Sequence, residues 1–298
     1  MKQNFFSLKF FQVLFFSLFL VVASGCAPSA DKAGGLKEVK DADGTMVAVQ
    51  ETPKRIVSLG LSVDDILIDI VPAERIAALT YLADDPGISN VAAKAKQVEK
   101  RVQANVESVL VLKPDLVIVP SWQSKDLVQA LRNVGLTVYV CKTAQNMPEV
   151  KENIREIAAI TDAREKGEQL IAQLDAELNA VLAKVNTIPE NERLTVVQFS
   201  AMGAGNSFTL DEICRYAGVK NGAALAGVPY NQMLTKEQII MINPDFCLLP
   251  TYAYASKTVD LNQYRKNLEE DPAYQNIKAV KNKRLYNIPD RYLFTTSH

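Results

Sequence analysis

The sequence predicts an α/β protein of two lobes joined by a single long helix. Three observations carry this: one long helical pattern near mid-chain, strands alternating with helices on both sides of it, and one block of sequence that occurs twice, once per side. The helical pattern spans 162–186, with apolar residues at Leu170, Ile171, Leu174, Leu178, Val181, Leu182 and Val185. That is the period of an amphipathic helix, and neither Gly nor Pro interrupts it after Gly167. Asp162 and Glu165 stand in capping-box spacing at its start, and Pro189 marks its stop. At that length the helix spans about 35 Å, more than one small lobe needs, and reads as a strut.

The repeated block is ESVLVLKPDLVIVP at 107–120 and EQIIMINPDFCLLP at 237–250, aligned without a gap. Each copy has a polar cap two positions before its Glu, Asn105 or Thr235, then a short helix, a Pro-Asp turn and an apolar strand closed by Pro. Shared architecture by convergence would not require the Glu, both prolines and the Asp to match together. Glu107 and Glu237 therefore occupy the same corner of two equivalent lobes. A carboxylate in a first helical turn is favoured by the free amides alone, by about 0.3–1 kcal/mol. A sharper account is a pair of outward carboxylates meeting two basic patches on one partner.

The totals allow two cores: 298 residues, 48% hydrophobic, 22% charged, formal net charge -1. The balance offers no basic excess for nucleic acid. The single His, His298, excludes a zinc site built on several His and leaves a Ser-His-Asp triad only a chain end for its base.

In chain order, residues 1–25 read as an export signal: Lys2 and Lys9, an apolar run from Val13 to Ala23, then small residues. Cys26 directly after Ala23-Ser24-Gly25 resembles a bacterial lipobox, which implies a lipid-bearing amino-terminal Cys and a membrane-surface anchor. Residues 26–52 read as a tether, with a short strand at 46–49. The first lobe, 53–145, has strands at 55–60, 76–79, 116–119 and 137–140. Its helices run from Ser62 (with Asp65 in capping-box position) to Ile70, from Asn105 to Leu112, and from Ser124 to Asn133. Residues 146–188 hold the connecting helices, the first capped by Asn146 and Glu149. The second lobe, 189–298, has strands at 195–200, 246–249 and 284–288. Its helices lie at 209–217 (stopped by Gly218), 235–242 and 261–268, and a loop runs from Pro289 to His298.

Ligands of open parallel sheets lie beyond the carboxyl ends of the strands, so the loops of two facing lobes line one cleft. These loops carry Leu61, Ser62, Tyr81, Trp122 and Gln123 from the first lobe. From the second come the Gly-rich 202–207, Tyr230, Tyr252, Tyr254, Arg291 and Tyr292. Each aromatic alone is equally an ordinary surface or packing residue; as a set they suit a large, flat or chelated ligand. Arg291 suits an anionic oxygen of the ligand, or a surface ion pair. Gly203 and Gly205 permit close backbone approach and lack the rest of a nucleotide fingerprint. Cys141, Cys214 and Cys247 read as buried small hydrophobes, with a Cys214–Cys247 bridge open. Asp64-Asp65 and Glu269-Glu270-Asp271 read as solvated faces or caps.

The lipobox, the 55–60 strand, the two matched blocks, the single interlobe helix and Pro289-Asp290-Arg291-Tyr292 together resemble the substrate-binding proteins of bacterial ABC importers for iron complexes and cobalamin. The resemblance covers Pro53 to the end. It implies two α/β lobes, a rigid helix, cargo held in the cleft with modest closure, no catalysis and no cofactor. It also implies that Glu107 and Glu237 dock to arginines of an ABC permease dimer. Members of that family continue past this loop into a final helix on the second lobe, whereas this chain ends at His298; that implies a fragment, or a bare apolar face and lower stability. A ferric-siderophore-type complex is the expected cargo, with cobalamin or another corrinoid second and haem third, since no internal His is available. Rivals of another class are an exported two-lobed enzyme and a cargo-free surface lipoprotein.

Overall fold

The computed structural model describes residues 35–200, 203–251 and 260–294; the expected signal, Cys26, Tyr252, Tyr254 and His298 lie outside these. Strands β1 (Leu36–Lys40) and β2 (Met46–Gln50) pair antiparallel. This corrects the tether expected through residue 52. The hairpin is largely polar, but Val47 and Val49 enter the first-lobe core. Its turn is held by Asp41, whose buried carboxylate accepts from the amides of Asp43 and Thr45 and pairs with Arg132 at 2.5 Å.

The first lobe is a parallel sheet of β3 (Ile56–Ser58), β4 (Ile76–Thr80), β5 (Arg101–Val102), β6 (Leu116–Pro120) and β7 (Val138–Cys141), in the order β5-β4-β3-β6-β7. Helices α1 (Leu61–Ile70), α2 (Ala92–Ala95), α3 (Val106–Leu110), α4 (Lys125–Asn133) and α5 (Met147–Ile160) surround it. Strand β6 is apolar throughout because both its faces are covered. Leu116 and Ile118 join one core cluster, while Val117 and Val119 join the other. Asn105, Ser124 and Asn146 cap their helices by accepting from Ser108, Leu127 and Glu149. Ser62 does not cap α1: Gly60 holds the N-cap position, where a Cβ would come 2.5 Å from Pro120.

The strut is α6 (Arg164–Val185), 22 residues and about 33 Å long. The expected Asp162 cap is absent. Asp162 has φ +56° and closes α5 instead, with the Ala163 amide donating to Ala158, while its carboxylate accepts from Thr52 at 2.6 Å. Gly167 seats the strut on α5, where a Cβ would lie 2.6 Å from that of Ala158. At the far end Val185 packs on Gly218 of the second lobe.

The second lobe has β8 (Thr195–Ser200), β9 (Gly203–Gly205), β10 (Lys220–Asn221), β11 (Phe246–Leu249) and β12 (Leu285–Asn287). The order is β10-β8-β11-β12, parallel, with β9 antiparallel on β8. Helices α7 (Phe208–Ala217), α8 (Gly222–Leu225), α9 (Lys236–Ile242), α10 (Leu261–Glu270), α11 (Lys278–Lys281) and α12 (Arg291–Phe294) complete it. A one-turn helix thus stands where a plain loop was expected after Pro289. The matched blocks are α3-turn-β6 and α9-turn-β11, each in its own sheet, and Lys113 and Asn243 turn them with φ of 47° and 48°. The three described cysteines are free and buried; Cys214 and Cys247 belong to different core clusters.

Candidate functional site

The carboxyl ends of β3, β4 and β6 form the first-lobe wall. Here Asp64 and Asp65, expected to be a solvated face or caps, are buried, and neither caps α1. The Asp64 carboxylate accepts from the amide and hydroxyl of Thr80. Burial pushes its carboxyl up to about 7, against the hydrogen bonds from Thr80 and Ser58 that favour the charged form. Asp64 thereby ties the ends of β3 and β4 beneath Tyr81. Tyr81 is exposed at the start of a 3₁₀ turn, 81–84. That turn is fixed by a two-pronged pair, Arg101 Nε to Asp84 Oδ2 at 2.8 Å and Nη2 to Oδ1 at 2.7 Å. Trp122 is exposed after β6, and its neighbour Gln123 donates to the Leu59 carbonyl at 3.1 Å.

In the second lobe Tyr230 stacks on Phe208, ring centroids 3.7 Å apart, and its hydroxyl donates to Asp211 at 3.0 Å. Buried Asn206 and Asn221 hold this loop: Asn206 donates to Val228 O, and Asn221 donates to Asn206. Buried Asp290 accepts from the Thr251 amide, while Thr251 Oγ1 accepts from the Asp290 amide. The helix carrying Arg291 and Tyr292 is thus fixed to Thr251, just after β11.

Arg291 bridges the lobes. Its guanidinium donates to Pro86 O at 2.7 Å and to the Tyr292 hydroxyl at 3.0 Å, its amide donates to Gly87 O, and its carbonyl accepts from Asn90. A cavity of about 530 Å³ opens at this junction, lined by Pro86, Ser89, Asn90, Ala92, Ala93, Arg291 and Tyr292. Of the expected ligand residues it gathers Arg291 and Tyr292; Tyr81, Trp122 and Tyr230 do not line it. Sequence reasoning missed Asn90, a polar residue in a run of small ones, and the buried Asp64 and Asp290. Among the described residues, no group of three or more His, Cys, Asp or Glu side chains is placed to hold a metal ion.

The profile of one family, described as Periplasmic binding protein, matches residues 56–292, most of the chain. This chain belongs to the periplasmic binding protein family. Among relatives of this binding protein, an uncharacterized ABC transporter substrate-binding lipoprotein, YvrC of Bacillus subtilis (strain 168), is 28% identical over 91% of this chain and 87% of its own. The Fe(3+)-citrate-binding protein YfmC of the same strain is 25% identical over 89% and 84%. The crystal structure of the heme binding protein HmuT superposes with a TM-score of 0.69 at 21% identity, over 90% of this chain and 88% of that one, and shares the fold. As in that family, the binding protein's lobes are separate α/β bodies on one rigid helix.

Proposed function

We propose that this protein is the extracytoplasmic, lipid-anchored substrate-binding component of an ABC importer, capturing a ferric-siderophore-type complex and handing it to the permease dimer without catalysis. The observation that carries this is the duplicated helix-turn-strand unit: α3-β6 and α9-β11 lie in separate sheets on either side of α6, with a cavity where the lobes meet. Cargo lies against exposed Tyr81 and Trp122 on one wall and Tyr230, Arg291 and Tyr292 on the other, with Tyr252 and Tyr254 on the adjoining segment. The only His is the last residue, which disfavours free zinc or manganese as cargo. Cys26 carries the anchor. Glu107 and Glu237, both exposed, dock to cations of the permease. The experiment is native mass spectrometry and absorbance of the protein purified from its host. An iron chelate is expected. A corrinoid or haem spectrum would redirect the cargo, and a protein that binds none of the three would overturn the reading.

A further inference from the structure

The matched blocks repeat more than their glutamates. Glu107, Leu110 and Val111 stand at i, i+3 and i+4, one face of a helical turn, and Glu237, Ile240 and Met241 repeat that spacing 130 positions later (107 to 237). Leu110 is 45% exposed and Val111 80%; Ile240 is 43% exposed and Met241 76%. The inward positions of the same turns are filled separately, by buried Val109 and Leu112 in one lobe and Ile239 in the other. A single exposed aliphatic side chain needs no explanation. The same exposed pair at matched positions of two lobes, each beside a carboxylate, does. The identities differ between copies while the apolar character is kept. Glu237 is held at the start of α9 by its own amide and the Thr235 hydroxyl, while Lys236 beside it pairs with Asp271 at 2.6 Å. Both pairs hold the same place in their lobes, just before the Pro-Asp turn that pins the start of β3 or β8.

We infer that each lobe docks through an apolar knob as well as a carboxylate: Leu110–Val111 beside Glu107, and Ile240–Met241 beside Glu237, enter two like pockets with cationic rims on the ABC permease dimer. This rests on the importer reading above. Two equal knobs call for a partner of two like halves, and a carboxylate at each calls for a cation at each. The apolar pair excludes water beside the ion pair, where the lower dielectric strengthens it. A second copy of this chain would bring carboxylate against carboxylate, and an anionic lipid surface would repel both faces.

The test uses the full chain carrying Cys26→Ser, so that lipid does not hold it, against the host's iron-complex ABC permeases purified into lipid nanodiscs. Val111→Asp or Met241→Asp alone should weaken binding about tenfold, and the pair about a hundredfold, with cargo affinity unchanged. Val111→Ala with Met241→Ala, which adds no charge, should still weaken it about tenfold. Unchanged binding by these variants, with binding lost in Glu107→Lys/Glu237→Lys, would overturn the knobs and leave the carboxylate docking standing. A parent chain that binds no permease would overturn both. Equal binding to empty nanodiscs, or self-association relieved by the double variant, would overturn the inference in favour of a lipid surface or a second copy.

Discussion

Asp115 and Asp245 perform the same task in the two lobes. Asp115 accepts from the amides of Lys54 and Arg55 at 2.6 and 2.9 Å, and Asp245 accepts from the amide of Thr195 at 2.9 Å. In both, the Asp amide donates back to the strand, to Arg55 O and to Thr195 O. Each Pro-Asp turn therefore pins the start of the strand beside it, β3 or β8. Truncation to Ala should cost about 1–3 kcal/mol at either site, read by denaturant unfolding. Asp245 differs in also pairing with Lys278 at 3.1 Å. Lys278→Ala should therefore add little to Asp245→Ala, yet add its full effect to Asp115→Ala. Equal additivity in both backgrounds would contradict the assignment.

The pH dependence of stability should show two carboxylates of opposite sign. Asp64 holds its proton more tightly folded than unfolded. Its contribution is fully present below the unfolded value of 3.8 and is lost as pH rises toward about 7, by on the order of a few kcal/mol. For Asp245, burial raises the carboxyl, but the Thr195 amide and Lys278 outweigh it and the net shift is downward. Its contribution is present above the unfolded value and is lost as pH falls through the folded one. Asp64→Asn should flatten the stability profile between pH 4 and 7, measured by thermal unfolding. Parallel profiles for variant and parent across that range would refute it.

The strut meets the second lobe at one tight contact. Gly218 has φ +67°, and a Cβ there would lie 2.5 Å from Val185 Cγ1. Gly218→Ala should lose about 1–3 kcal/mol through both the left-handed backbone and the overlap. Adding Val185→Ala should return the part due to overlap and leave the backbone part. A double variant no better than the single one would place the whole effect in the backbone.

Arg291→Ala removes the guanidinium bond to Pro86 while leaving the Arg291 amide bonded to Gly87. The lobes should part more often, raising hydrogen exchange of that amide about fivefold, as expected for loss of about 1 kcal/mol. Unchanged exchange would mean that the bridge contributes nothing to holding the lobes together.

What could be read from sequence was what is local and periodic. The strut's apolar spacing, the Pro-Asp turns and the caps at Asn105, Asn146 and Thr235 all act within a few residues and stand in the structure, whereas the expected caps at Ser62 and at the strut's own start do not. What escaped depends on distant partners or very short elements. Asp64-Asp65 looked solvated because the Thr80 partner of Asp64 lies 16 positions away. The 36–50 hairpin looked like a tether because Val47 and Val49 alone are buried in the core, with Val39 only partly buried against it. Strands β5 and β10 have two residues each, too few for any period. At the site, Arg291 and Tyr292 were legible from their motif, whereas Ser89 and Asn90 were not. Those two line a cavity only because the other lobe meets them there.

A cargo-binding cleft between the lobes has the exposed Trp122, the only tryptophan, on its proposed first-lobe wall, outside the lining of the Arg291 cavity. Titrating the protein with ferric siderophores and ferric citrate should quench its fluorescence saturably at a one-to-one ratio, and Trp122→Phe should abolish the signal. No quenching by any ferric chelate, corrinoid or haem, with no heat of binding by calorimetry, would contradict the account.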